Sequence, residues 1–353
     1  MVMAAVKYIA SDKLPEWLSA LAANSRVLVP VQEGGGVVFR PYDGTRQPVF
    51  GSDATAPPKS SIFPACQELF HYEQGKDPED PGKPTLKLIA DTKAEPTVVF
   101  GCKPCGARGF LIFDRVYMGK KFPDPYYIAA REATTFVTMA CSTANVENTC
   151  FCNWVGSGPA DTNGSDVLLT PVAGGYTVEA VTPKGEALLA SPALTDGAAK
   201  AGEAEGVKTA AREALGEAPD IASAPQALLA AFDDLPFWQA QSDKCISCGA
   251  CTYLCPTCYC FTITDEPAGM KGRRMRSWDA CMHFQFTLEA SGHNPRPTKA
   301  HRLKNRVGHK FSYYPTLHDG LIACCGCGRC IKSCPVSVDI REIVQNAVAR
   351  AKG

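Results

Sequence analysis

The sequence predicts an α+β protein: an N-terminal α/β domain, then a helical domain that carries a cysteine-rich module. Three observations carry that prediction. Short β-rich runs recur through the first half, the composition turns to alanine and glutamate near the middle, and one cysteine pattern occurs twice in the last third. The expected division is residues 1–195 for the α/β domain, 196–234 for a helical connector and 235–353 for the cysteine module, with a basic insert at 262–322.

The β-rich runs are SRVLVPV from Ser25, GGVVFRPY from Gly35, PTVVFGC from Pro96, YYIAARE from Tyr126 and ATTFVTMAC from Ala133. Each is short and enriched in β-branched or aromatic residues, which suits a pleated, half-buried surface. The stretch VLLTPVAGGYTVEAVTP reads as a hairpin turning at Gly174–Gly175. Residues 57–84 are rich in proline and charge and read as loop with one short helix. Further on, AAREALGE and PQALLAAF read as helices, with Gly216 as a C-cap. The tail REIVQNAVARAK is an amphipathic helix.

The cysteine pattern carries the chemistry. Cys245, Cys248, Cys251 and Cys255 read C-x-x-C-x-x-C-x-x-x-C followed by Pro256, and Cys324, Cys327, Cys330 and Cys334 repeat it, followed by Pro335. That run is the ligand signature of bacterial two-cluster ferredoxins. Three closely spaced thiolates wrap one face of an iron–sulfur cube, and the fourth cysteine of each run serves the other cube. The expected sets are therefore Cys245, Cys248, Cys251 with Cys334, and Cys324, Cys327, Cys330 with Cys255, each holding a [4Fe–4S] cluster. Each proline ends its loop and biases the preceding cysteine toward extended geometry. Gly249, Gly326 and Gly328 supply tight turns beside the sulfurs. Structural zinc prefers two C-x-x-C pairs, so it fits this pattern poorly. Cys325 is spare to the spacing and suits a small buried hydrophobe.

The 68 residues between Cys255 and Cys324 far exceed what a minimal ferredoxin needs. Between Lys271 and Lys310 they hold ten Lys/Arg against two acids, Asp279 and Glu289, together with His283, His293, His301 and His309. Two readings fit: a docking face for an acidic or phosphate-bearing partner, or charge compensation for clusters that are net negative.

Other cysteines extend the inventory. Cys105, Cys141, Cys150 and Cys152 form a candidate third cluster, with zinc and unmetallated thiols as the alternatives. Cys102 completes a C-x-x-C with Cys105, and Cys66 stands alone. Cys258, Cys260 and Cys281 could bind another metal if His283 or His293 completed the set; packing beside the neighbouring cluster is the other reading.

Lys+Arg and Asp+Glu both total 36, so bulk charge names no partner and gives no sign of nucleic-acid binding. The N-terminus lacks a charged segment followed by a long apolar one, and no apolar run reaches 18 residues, so a cytoplasmic protein without a membrane span is expected. Eighteen cysteines in a reducing compartment point to metal rather than disulfides. No G-x-G-x-x-G strand–helix unit, Walker loop, G-x-S-x-G or H-E-x-x-H is present.

Several segments together resemble the iron–sulfur β subunit of sulfhydrogenases (hydrogenase/sulfur reductase), the corresponding iron–sulfur subunit of the anaerobic sulfite reductase complex, and related subunits of flavin oxidoreductases associated with heterodisulfide reductase. They are FGCKPCGARGFLIFDRVY from Phe100, CFCNWVGSGP from Cys150, CISCGACTYLCPTCYCF from Cys245, RMRSWDACMHF from Arg274, GHNPRP from Gly292 and CCGCGRCIKSCPVSVDIR from Cys324. The chain departs from that family at Cys105–Gly106, where a C-D dipeptide is usual, and at Cys102, where cysteine is unusual.

The resemblance implies an electron relay in anaerobic metabolism. In such complexes this subunit passes electrons between a flavin subunit that uses NAD(P)H and a hydrogenase, heterodisulfide reductase or sulfite reductase-type partner. It implies that the chain turns over no substrate on its own, and it favours metal at Cys105, Cys141, Cys150 and Cys152. The competing reading is a catalytic sulfur-compound reductase that uses Cys258, Cys260 or Cys281.

Overall fold

The computed structural model describes residues 6–352. Its largest element is a mixed eight-stranded sheet. The strands are β1 (Lys7–Ala10), β2 (Arg26–Glu33), β3 (Gly36–Pro41), β6 (Thr97–Cys102), β7 (Thr134–Met139), β8 (Val167–Val172), β9 (Gly175–Ala180) and β10 (Thr195–Asp196). They lie in the order β10-β1-β9-β8-β7-β6-β2-β3. The centre is parallel: β2, β6, β7 and β8 run the same way, whereas β1, β3, β9 and β10 pair antiparallel. A parallel strand covered on both faces reads as a continuous apolar run, and every residue of β6 is buried. The expected hairpin joins β8 to β9, with Gly174 in the left-handed region at φ 79°.

The remaining strands form an antiparallel sheet, β11-β12-β4-β5, from β4 (Cys66–Lys76), β5 (Pro84–Ile89), β11 (Phe261–Ala268) and β12 (Lys271–Trp278). This sheet corrects the loop expected at 57–84. Its residues lack clean alternation because what stabilises β4 is pairing with β12, about two hundred positions later in the chain. The sheet also crosses the expected division at 196–234. On it Arg273 pairs with Glu266, Arg274 with Asp265, Lys271 with Glu73 and Arg276 with Asp124, so four of the ten insert cations are already neutralised.

A second correction concerns YYIAARE. It is a helix, Pro125–Ala133, not a strand. Asp124 caps it by accepting from the Tyr127 N–H at 2.9 Å, and Pro125 opens the first turn. These end signals outweigh the strand preference of the two tyrosines. The expected connector splits in two: helix Ala201–Ala214 packs on β8, while helix Ala224–Ala230 joins the core of the C-terminal helices with Trp238, Leu303, Val307 and Val344. Gly216 ends the first in the left-handed conformation, φ 69°.

Between the sheets sits an aromatic core of Phe63, Phe110, Phe113, Tyr117, Tyr127 and Phe136. Phe113 is fully buried, with ring centroids 5.5 Å from Phe63, 6.0 Å from Tyr127 and 5.6 Å from Tyr259. Phe113→Ala is expected to cost about 3–5 kcal/mol, read as a lower denaturant midpoint at unchanged slope.

Candidate metal centres

The two cysteine runs fold alike. In the first, Ser247 and Gly249 take positive φ (57° and 76°); in the second, Gly326 and Gly328 do so at the matching positions (63° and 72°). Each loop then enters a single helical turn, Ala250–Tyr253 or Arg329–Lys332. The alternation turns backbone N–H groups inward: Ser247 N–H donates to Cys245 Sγ and Gly326 N–H to Cys324 Sγ, both at 3.4 Å. Ser247 holds a conformation that costs a residue with a Cβ about 1–2 kcal/mol, a strain the repeat places beside a sulfur.

Each expected set lines one cavity. Cys245, Cys248, Cys251 and Cys334 surround the first, and Cys255, Cys324, Cys327 and Cys330 the second. Cys105, Cys141, Cys150 and Cys152 surround a third. The parallel sheet builds this third cavity. Cys105 follows the carboxyl end of β6 and Cys141 that of β7, the end where open α/β sheets present their sites. The C-x-C segment closes it by seating on the second cysteine loop, where Phe151 N–H donates to the Gly326 carbonyl at 2.8 Å. The three cavities are contiguous: Arg306 and Cys330 line both the first and second, and Cys327 lines both the second and third. Cys248 is exposed, so the first lies nearest solvent at one corner.

Burial pushes the free thiols of Cys324, Cys141 and Cys152 up to about 12 and that of Cys330 up to about 11. Without metal these sulfurs stay protonated and neutral at neutral pH; a bound metal deprotonates them. The side chains around them anticipate that negative charge. Lys59, Lys103, Arg302, Arg306, Lys310 and Arg329 are each at most 7% exposed, and among the described residues none pairs with a carboxylate. Lys310 Nζ stands 3.5 Å from Cys255 Sγ, and Arg329 Nη1 3.6 Å from Cys105 Sγ. Arg306 reaches the Cys251 carbonyl at 3.3 Å, while its buried Nε has no partner. Burial alone would depress Lys310, Arg306 and Arg329; the surrounding cysteine sulfurs outweigh it and raise all three. Buried cations without a carboxylate partner, two of them lining sulfur-lined cavities, fit an anionic iron–sulfur group, because a buried charge without a counter-charge costs several kcal/mol.

Arg302, Arg306 and Lys310 are spaced i, i+4, i+8 and lie on one face of helix Lys299–Gly308 and the π turn His309–Tyr313 that extends it. The charge-compensation reading of the basic insert included them as a group; what the sequence did not single out was which of the ten cations turn inward. The spacing was visible, but a charged helical stripe ordinarily faces water. Asp53, which sequence reasoning missed, lines the third cavity with a buried Oδ1 that has no partner.

The other cysteines fall differently. Cys258 lies against Cys255, and Cys260 against Cys281. His283 faces Asp279 at 3.7 Å and lies tilted beside the Tyr253 ring, and His293 is exposed. Among the described residues no three His, Cys, Asp or Glu side chains converge on a single ion, at Cys258, Cys260 and Cys281 or elsewhere. Cys325 is buried as expected and its thiol hydrogen-bonds to Cys327. Cys102 is buried at the end of β6, and Cys66 is exposed beside Ser277. No helix among the described residues is long and apolar enough to cross a membrane.

Residues 244–338 match the 4Fe-4S dicluster domain family. Over 347 residues the chain is 27% identical to the Sulfhydrogenase 2 subunit beta of Pyrococcus furiosus, covering 93% of this chain and 94% of that protein. No solved structure matches. The dicluster domain and this end-to-end similarity support an iron–sulfur protein with [4Fe–4S] electron-transfer chemistry, similar to a sulfhydrogenase β subunit.

Proposed function

We propose that the chain is the relay subunit of a cytoplasmic multi-subunit oxidoreductase and holds three clusters. Cys245, Cys248, Cys251 and Cys334 bind the first; Cys324, Cys327, Cys330 and Cys255 the second; Cys105, Cys141, Cys150 and Cys152 the third. The observation that carries this reading is the row of contiguous cavities, each lined by one of these sets and flanked by buried cations. Each bound cluster supplies one-electron acceptor and donor chemistry. The protein's own residues do the rest: the glycine turns aim N–H groups at sulfur, the cations offset its charge, and the buried walls exclude water from the middle site.

One end of the row meets solvent at Cys248; the other lies behind the C-x-C segment. That layout suits transfer between two partners, a flavin subunit using NAD(P)H and a hydrogenase, heterodisulfide or sulfur-compound reductase subunit. A substrate-reducing role for Cys281 needs an accessible thiolate, and Cys281 is only 8% exposed.

Anaerobically purified protein is expected to contain about twelve irons, and Cys105→Ser about eight, with the dicluster EPR signals retained. About eight irons in the unaltered protein would remove the third cluster. A colourless protein without acid-labile sulfide would remove the whole reading.

A further inference from the structure

We infer that the buried cations Arg306, Lys310 and Arg329 grade the relay, holding the middle cluster at the highest reduction potential of the three. This rests on the three-cluster reading above. Adding an electron to a thiolate-ligated cluster adds negative charge, so fixed positive charge beside it favours reduction, and more so where water is scarce.

The charges are distributed unevenly along the row. Arg306 and Lys310 both line the middle cavity, Arg329 stands beside its ligand Cys327, and no carboxylate lines it. The first cavity has Arg306 alone on its wall, and exposed Cys248 admits solvent screening. The third cavity meets Arg329 through Cys105 and Lys103 near Cys141, but carries on its own wall the opposing charge of Asp53, which also faces Arg329. Positive charge is therefore densest and least screened at the centre. The device is built into the backbone as well. The π turn carries Lys310 inward, where its carbonyl accepts from Ala323 N–H at 3.0 Å and its Nζ donates to Thr257 Oγ1 at 2.8 Å and to the Ala323 carbonyl at 3.0 Å. These bonds hold the ammonium against Cys255 with no freedom to swing away.

The consequence is a relay with its sink in the middle. An electron entering from either end rests at the second cluster, and departure toward either partner is the uphill step.

The test is a redox titration of the anaerobic holoprotein followed by EPR, with the middle signal assigned by its loss in Cys324→Ser. The middle midpoint should be the highest. Lys310→Gln should lower it by at least tenfold in its reduction equilibrium, about 59 mV for one electron, with smaller changes at the other two. Lys310→Arg, which keeps the charge, should restore most of the difference. Asp53→Asn should instead raise the third midpoint and leave the first unmoved, and it serves where Lys310→Gln fails to retain iron. With full iron content, a middle cluster that is not the highest overturns the inference, as does an unmoved midpoint in Lys310→Gln or in Asp53→Asn. An iron-poor wild-type protein would instead sink the relay reading itself.

Discussion

Stripping iron from the anaerobic protein with a chelator is expected to unfold its C-terminal half while the eight-stranded sheet persists. Arg306, Lys310 and Arg329 are at most 6% exposed and pair with no carboxylate among the described residues. With the clusters present, their counter-charge is the ligated sulfur. Once the metal leaves, burial returns Cys324 and Cys330 to neutral thiols, and the cations keep only part of their counter-charge, from Cys255 and Cys327, whose thiols are held below the usual range. Breaking one buried pair by removing a partner costs about 3–5 kcal/mol, already a large share of the total stability of a domain, about 5–15 kcal/mol. The nearby core of Val307, Phe311, Ile343 and Val344 is anchored on the same helices and opens with them. Native-state hydrogen exchange checks this: amides of helix Ile340–Arg350 should lose protection in the apo form, and those of β7 and β8 should keep it. Equal protection in both forms would mean that the cations are satisfied some other way.

Gly326→Val is expected to damage both the fold and the third site. The position holds φ 63°, which costs a residue with a Cβ about 1–2 kcal/mol. The new Cβ would also stand 2.4 Å from the Phe151 carbonyl oxygen and 2.5 Å from the Cys152 Cα. Both neighbours are backbone, so the C-x-C segment itself must move, at a further cost of about 1–3 kcal/mol. Because that segment presents Cys150 and Cys152, the variant should lose the third cluster, about four irons by analysis, together with several degrees of thermal stability. Gly202→Ala is the control. That glycine lies within a helix with nothing within 4 Å of its added Cβ, and the change should be neutral or stabilising. If Gly326→Val kept all its iron, the seating of one loop on the other would not matter to the third site.

The duplicated spacing marked the ligand-bearing loops in the primary structure because a cube demands thiolates at fixed intervals, and glycines at matching offsets marked their turns. The parallel centre of the large sheet was legible from runs such as PTVVFGC, whose burial on both faces needs no alternation. What stayed hidden depends on distant partners. Strand β4 exists through its pairing with β12, and local pattern says little about it. Helix Pro125–Ala133 was obscured by its tyrosines, although Asp124 and Pro125 announced its start. The inward stripe of Arg302, Arg306 and Lys310 was hidden most deeply. It inverts the usual rule for charged helix faces, and only the sulfur-lined cavities beside it explain the inversion. Asp53 carried no signal at all, since its site is assembled from residues that lie far apart in the chain.

The seating of Gly326 against Phe151 and Cys152 also bears on biogenesis. The N-terminal thiols leave the ribosome long before the segment that closes over them. Until synthesis finishes, their pocket lacks a wall. Insertion of inorganic cofactor is thereby deferred to the completed polypeptide, and a prematurely terminated product offers no finished receptacle for it.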